Sequence, residues 1–129
     1  MFKTAKSIYD SIGIDVEKAL EVMASTPISV HCWQGDDVVG FETGAGALGS
    51  GLAVTGNYPG KARSIDELRA DLEQVYSLLP GKHRLNLHAI YGDFGGEQVD
   101  RDAIDLSHFQ SWIDWAKKLG IGMDFNPSS

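Results

Sequence analysis

One stretch of the sequence sets the architecture of the rest of the chain: Ile28-Ser29-Val30-His31-Cys32-Trp33-Gln34-Gly35-Asp36-Asp37. Its first half is short and rich in β-branched and aromatic residues, which predicts a buried β-strand. Its second half turns polar at Gly35 and leads into a long Gly-rich segment. In α/β proteins, a strand that ends in an aromatic residue, a turn and two carboxylates commonly forms one wall of a site.

Upstream of this strand, residues 1–26 carry two helical patterns, and Asp15 is placed to cap the second. Because this pair precedes the first strand and connects no two strands, we expect it to close one end of a barrel or to pack on a neighbouring subunit. Downstream, the chain alternates between helical and extended patterns. The predicted elements are a helix begun by the capping box of Ser64 and Glu67, a strand at 84–90, a helix begun by Asp105 or Ser107 and ended by Gly120, and a strand at 121–126.

The order strand, helix, strand, helix, strand predicts an α/β fold with a parallel sheet and right-handed crossovers. A (β/α)8 TIM barrel typically needs about 250 residues. We therefore expect residues 1–129 to be the incomplete N-terminal part of a single TIM-barrel domain, with 1–26 as its helical segment and 27–129 as its first three βα units. Apolar residues of the strands should then face surface that later strands cover, so that the isolated chain is molten, aggregated or self-associated. These residues are Val30, Leu85, Leu87, Ile121 and Met123.

Composition narrows the class of protein. The formal net charge of −7 disfavours a nucleic-acid or anionic membrane surface, because the field of the protein would repel phosphate. No apolar run approaches the length that spans a membrane. Cys32 is the only cysteine, so no internal disulfide can form. These features are typical of a soluble, cytoplasmic protein.

Candidate site residues lie at the ends of the predicted strands. Trp33, His88 and Phe125 together describe a wall that could stack on a sugar ring and hydrogen-bond its hydroxyls, although each alone is ordinary for a core. Polar residues stand at the same end, but they are also common turn formers: Asp36, Asp37, Asp124 and Asn126. The segment 34–63 has no clear periodicity and is expected to fold as a flap over the strand ends. The sequence contains no phosphate-binding loop, and no complete metal site can be read from it.

Four stretches of the sequence resemble the N-terminal part of the L-rhamnose isomerases. They are His31-Cys32-Trp33-Gln34-Gly35-Asp36-Asp37, Thr55-Gly56-Asn57-Tyr58-Pro59-Gly60-Lys61-Ala62-Arg63, Leu85-Asn86-Leu87-His88-Ala89-Ile90-Tyr91 and Asp124-Phe125-Asn126-Pro127-Ser128. The similarity extends from about Gly13 to the last residue, except for the loop from Gly92 to Asp100. The resemblance implies a xylose-isomerase-like (β/α)8 barrel, a homotetramer and a divalent metal such as Mn²⁺.

The activity that the resemblance implies is an intramolecular oxidoreduction, the conversion of L-rhamnose to L-rhamnulose by ring opening and a metal-assisted hydride shift. His88 would be the catalytic residue, which contacts the sugar near its ring oxygen and anomeric hydroxyl. Trp33 and Phe125 would line the sugar site, and Leu48 and Ile90 would receive the C6 methyl group. The metal ligands of the family lie on later strands, so we expect none in this chain and no activity from the chain alone.

Two other interpretations stay open at this stage. The chain could be a non-catalytic α/β module that binds sugars, or part of a different isomerase or epimerase of the same barrel superfamily. Sugar specificity would separate the second interpretation from an L-rhamnose isomerase.

Overall fold

The computed structural model describes residues 1–36, 39–41 and 59–127. The helices are α1 (Phe2–Ser11), α2 (Val16–Ser25), α3 (Trp33–Asp36), α4 (Ile65–Leu78) and α5 (Gln110–Leu119). The strands are β1 (Pro27–His31), β2 (Lys82–His88) and β3 (Gly122–Asn126). Short 3₁₀ turns occupy Ala89–Tyr91, Arg101–Ala103 and Leu106–Phe109. Among the helices of these residues, none combines the length and the apolar composition that crossing a membrane requires.

The three strands form one parallel sheet in the order β1-β2-β3. In its register, His31 pairs with Asn86 and His88 with Asn126. The predicted parallel α/β order is thus confirmed, with α4 and α5 each connecting two neighbouring strands. The first three units of a (β/α)8 barrel would have the same arrangement.

The predicted helix caps are present. Asp15 accepts a hydrogen bond from the backbone N–H of Lys18, at 3.1 Å, and Ser64 accepts one from Glu67 at 3.2 Å. The carboxylate of Glu67 also reaches back, but it accepts from the N–H of Arg63 at 2.7 Å, one residue before the cap. These bonds satisfy N–H groups that the first turn of a helix leaves without partners.

In the last predicted helix, Asp105 is the cap, as one of the two predicted alternatives, but it caps a 3₁₀ turn before α5 and not α5 itself. Asp105 begins the 3₁₀ turn that leads into α5, and its side chain accepts from the N–H of Ser107 at 2.8 Å. Gly120 ends α5 in the left-handed conformation, with φ of 68°, as its position predicted.

Two strands end earlier than predicted. After His31 the chain turns at Cys32, whose carbonyl accepts from the N–H of Gly35 at 3.2 Å, so Trp33 begins α3 and is not a strand residue. After His88 the chain enters a 3₁₀ turn, so Ile90 does not lie on β2 either. In both places the backbone forms a hydrogen bond within a turn where the prediction had bonds between strands. The periodicity of the side chains does not reveal where this change occurs.

One face of the sheet is covered by the helices of the chain itself. Leu85 and Leu87 of β2 are 0% exposed and belong to one core with Leu68 of α4 and Trp112 of α5. The prediction that Leu85 and Leu87 face surface awaiting later strands is therefore wrong. The apolar positions of β2 point at α4 and α5, which already bury them.

The other face of the sheet is polar and, except at His88, open to solvent. Side chains alternate along a strand, and register partners in a parallel sheet share a face. This open face carries Ser29, His31, Arg84, Asn86, His88, Asp124 and Asn126. The strand β1 lies at the edge of the sheet and is exposed or half-buried along its length, not buried as predicted.

The helical pair contributes nothing to this core. Neither α1 nor α2 contains a buried residue, and both leave large apolar side chains exposed, among them Phe2, Ile8 and Met23. The expectation that the pair closes a barrel end or packs on a neighbouring subunit stays a prediction.

Candidate functional site

Two of the predicted site residues meet at the carboxyl end of the sheet. The ring centroids of Trp33 and His88 lie 4.3 Å apart, with the ring planes tilted by 46°. His88 is the last residue of β2 and is 1% exposed, while Trp33 is half-buried at the start of α3. An apolar ring beside an imidazole provides both stacking surface and ring nitrogens that can hydrogen-bond the hydroxyls of a sugar.

Phe125 lies at the same end of the sheet but on its other face. It pairs in register with Leu87, and its ring lies edge-on to Phe109, with a centroid distance of 5.0 Å. The structure therefore does not bring Phe125 together with the rings of Trp33 and His88. Phe125 instead lines a groove of about 600 Å³ beside β3, together with Met123 and Ile113.

Ile90 is held tightly by the backbone that follows α3. Its side chain is 4% exposed, and its carbonyl accepts from the N–H of Phe41 at 2.8 Å. Gly40 has a φ of 73°, and a Cβ at that position would lie within 2.9 Å of Ile90. Glycine is therefore required at residue 40, both for its conformation and for this close approach. Leu48, the other predicted contact of the C6 methyl group, lies outside the described residues, as do Asp37 and most of the predicted flap.

A buried carboxylate fixes the same region. Asp36 is 1% exposed; it accepts from the hydroxyl of Tyr91 at 2.7 Å and from the N–H of Gly40 at 2.6 Å. Burial, reinforced by the hydrogen bond to Asp36, raises the pKa of Tyr91 well above its usual range. Tyr91 thus stays a hydrogen-bond donor at all ordinary pH values. Sequence reasoning assigned Asp36 to a turn, because nothing local links it to a partner 55 residues away.

A hydrogen-bond network that the sequence did not predict links all three strands on the open face. Arg84 donates from Nε and Nη2 to both carboxylate oxygens of Asp124, at 2.9 and 2.7 Å, and Ser29 donates to the same carboxylate at 2.7 Å. A Cβ at Gly122 would collide with the guanidinium of Arg84, so the glycine leaves room for this pair. Only the strand register could have revealed this network, since Arg84 and Asp124 are 40 residues apart.

The network predicts a specific pH dependence of stability. Hydrogen bonds from Arg84 and Ser29, with the charge of Arg84, lower the pKa of Asp124 to about 2. A carboxyl group whose folded pKa lies below the unfolded value of about 3.9 stabilises the fold above that pH and loses this contribution as the pH falls through its folded pKa. We expect Asp124→Asn to destabilise the chain at neutral pH, and this difference from the unsubstituted chain to shrink between about pH 4 and pH 2.

Urea unfolding of both chains at several pH values measures that difference. The exposed carboxylate of Asp71 on α4 provides the matched control, Asp71→Asn. An Asp124→Asn effect that is constant over this pH range, or no larger than that of the control, would contradict the assignment.

Other reactive groups are less suited to chemistry. Burial raises the pKa of the Cys32 thiol to about 12, so the reactive thiolate is not formed at neutral pH. Within residues 1–36, 39–41 and 59–127, no group of three or more His, Cys, Asp or Glu side chains could hold a metal ion. The described residues therefore do not themselves fit a metal centre.

Comparison with known proteins gives a consistent family. The family model described as L-rhamnose isomerase (RhaA) matches residues 1–129. The chain is 64% identical over 127 residues to L-rhamnose isomerase of Rhodopirellula baltica, covering 98% of this chain and 30% of that protein. It is 55% identical over 128 residues to the enzyme of Bacteroides thetaiotaomicron (99% and 31%) and 56% identical over 127 residues to that of Citrobacter koseri (98% and 30%).

The chain thus spans about 30% of the length of the curated relatives it matches. The matched range includes the residues that form the Trp33–His88 pair and the buried Asp36–Tyr91 pair. The chain belongs to the L-rhamnose isomerase family.

Proposed function

We propose that this chain is part of an aldose–ketose isomerase that interconverts L-rhamnose and L-rhamnulose. The observation that carries the proposal is the family match along the whole chain, with 64% identity to one curated L-rhamnose isomerase. The contact between Trp33 and His88 supports it, because it provides an apolar ring and an imidazole at the carboxyl end of parallel strands.

In this proposal the chain supplies part of the sugar site. Opening a sugar ring moves the proton of the anomeric hydroxyl to the ring oxygen, and His88 is the residue that would hold this proton between the two oxygens. Trp33 would provide the flat apolar surface on which the sugar lies. Leu48 and Ile90 would contact the C6 methyl group, as the resemblance implies. The resemblance also assigns Phe125 to the sugar site, but its ring packs on Phe109 at the other face of the sheet, so the Trp33–His88 pair carries the proposal without it.

The metal of the proposed enzyme would be held elsewhere. Because the described residues lack a cluster of metal ligands, we place the ligands of Mn²⁺, or of a similar divalent ion, outside these residues. The proposal also includes a cytoplasmic homotetramer, the state that the resemblance implies. The single buried cysteine is compatible with a reducing compartment.

A chimera tests the proposed function directly. We expect R. baltica L-rhamnose isomerase to keep its activity when this chain replaces the 127 residues that it matches, because the two share 64% identity over that span. Ketose formation from L-rhamnose, with Mn²⁺ supplied, is the measurement. L-Mannose, which carries a hydroxyl in place of a hydrogen at C6, serves as the comparison sugar.

Two results would contradict the proposal. One is a folded chimera that binds L-rhamnose without forming L-rhamnulose, as a sugar-binding module would. The other is a chimera that prefers an unrelated sugar, as another isomerase or epimerase would. The 129-residue chain assayed alone is expected to form no ketose, since it covers 30% of the length of the relative.

A further inference from the structure

A second imidazole lies beside the Trp33–His88 pair. His31 is the last residue of β1 and lies on the open face. It pairs in register with Asn86, which precedes His88 by two residues on β2. Its ring centroid lies 5.1 Å from that of Trp33 and 5.9 Å from that of His88. His31 is therefore the only side chain among the described residues whose ring contacts both members of the pair.

His31 is exposed to solvent, and its ring also lies against the side chain of Asn86. The side-chain amide nitrogen of Asn86 lies 3.2 Å from Nδ1 and 3.3 Å from Nε2 of the His31 ring. These contacts with an amide and two other rings favour one of the rotamers that an exposed histidine could otherwise sample. Asn86 therefore contacts His31, and His31 in turn contacts both Trp33 and His88.

This arrangement differs from that of a surface histidine with a purely structural contact. His83 on β2 serves as the comparison. It stacks on Tyr76, with ring centroids 5.1 Å apart, and its Nε2 lies 3.0 Å from the carbonyl oxygen of Leu79. That histidine lies at the amino end of β2, and none of its ring contacts involves Trp33 or His88. Position at the carboxyl end, against both proposed sugar-site rings, is what distinguishes His31.

We propose that His31 is a positioning residue of the sugar site, which holds the rings of Trp33 and His88 in their mutual orientation and is itself held by Asn86. The proposal rests on the proposed function, because the two rings it orients are the ones assigned to the sugar. Catalytic groups must be held close to their productive geometry, and a displacement of about 1 Å can lower a rate by about a hundredfold. Loss of His31 should therefore act through His88 and Trp33, without any contact to the metal.

The first test is kinetic and uses the chimera defined above. We expect His31→Ala to lower kcat/KM for L-rhamnose by roughly tenfold to a hundredfold. His31→Phe, which keeps a ring against both neighbours, should restore most of that loss. His83→Ala is the matched control and should leave kcat/KM unchanged.

A double-mutant cycle then separates positioning from an independent structural role. If His31 acts through His88, adding His31→Ala to His88→Ala should produce little further loss. Equal losses in the two backgrounds would overturn the proposal, and so would a single-variant effect no larger than that of His83→Ala.

A readout without turnover keeps this proposal distinct from the proposed function. Crystal structures of the chimera and of its His31→Ala variant give the Trp33–His88 centroid distance directly. We expect the distance near 4.3 Å to be kept in the first and lost in the second. An unchanged pair in the variant would overturn the role of His31 even if the chimera is fully active. An inactive chimera with the expected change at the pair would instead count against the proposed function alone.

Discussion

Replacing His88 with alanine is expected to lower kcat/KM for L-rhamnose in the chimera by about 10²–10⁴-fold, the usual contribution of a positioned acid–base group. The physical reason is that His88 would hold the proton that moves between the anomeric hydroxyl and the ring oxygen. Its imidazole is 1% exposed, and a hydrogen bond to a sugar oxygen is stronger in such a site than in bulk water. Initial-rate measurements over a range of sugar concentrations give the effect on kcat and KM separately.

The metal content of the variant is the second measurement. Because no metal-ligand cluster occurs in the part of the chain that the structure describes, bound Mn²⁺ should be the same in His88→Ala as in the unsubstituted chimera. Loss of the metal would make His88 a ligand and would overturn its assignment as a sugar contact. Unchanged kinetics would remove it from the reaction altogether, whereas His83→Ala is expected to change neither quantity.

The order of the elements could be predicted because each depends on local chemistry. Helix caps such as Asp15 and Ser64 act on N–H groups within three residues, and the left-handed turn at Gly120 depends on that glycine alone. The alternation of strands and helices then leaves few allowed topologies, and the parallel order follows.

The covered face of the sheet could not be predicted in the same way. Alternation in β2 separates Leu85 and Leu87 from Arg84 and Asn86, but it does not say which set the helices of the chain cover. From the sequence we expected later strands to cover the two leucines, whereas α4 and α5 bury them. That removes one ground for expecting the isolated chain to be molten, aggregated or self-associated, although α1, α2 and the groove beside β3 still expose apolar surface. The expectation stays a prediction, and a cooperative urea transition of the isolated chain would contradict it.

Of the candidate site, the sequence predicted which strand ends lie together but not which contacts depend on the register between strands. Trp33 and His88 were placed at one end of the sheet by strand order, and they do meet. The face on which Phe125 lies, and the pairing of His31 with Asn86, depend on the register between strands, which appears only when the strands are paired. Contacts between distant residues in turns, such as Asp36 with Tyr91, have no periodic signal at all.

That last pair gives the prediction with the largest effect on stability. Tyr91→Phe removes the hydroxyl that donates to Asp36 at 2.7 Å and leaves a carboxylate that is 1% exposed with one donor fewer. Hydrogen bonds to charged groups contribute about 1.5–3 kcal/mol, so the free energy of unfolding should fall by about that amount. Urea unfolding of the chain at neutral pH, followed by tryptophan fluorescence, measures the change. Tyr9→Phe, on the exposed side of α1, is the control and should have almost no effect.

The isostere Asp36→Asn makes the test specific. A carboxylate offers one oxygen to the hydroxyl of Tyr91 and the other to the N–H of Gly40, whereas an amide has only one acceptor oxygen for these two donors. Asp36→Asn should therefore destabilise the chain strongly when Tyr91 is present. It should do so much less in the Tyr91→Phe background, where the single amide oxygen can turn to Gly40. Additive losses, or a Tyr91→Phe loss no larger than that of Tyr9→Phe, would show that the pair does not hold the turn that carries Ile90.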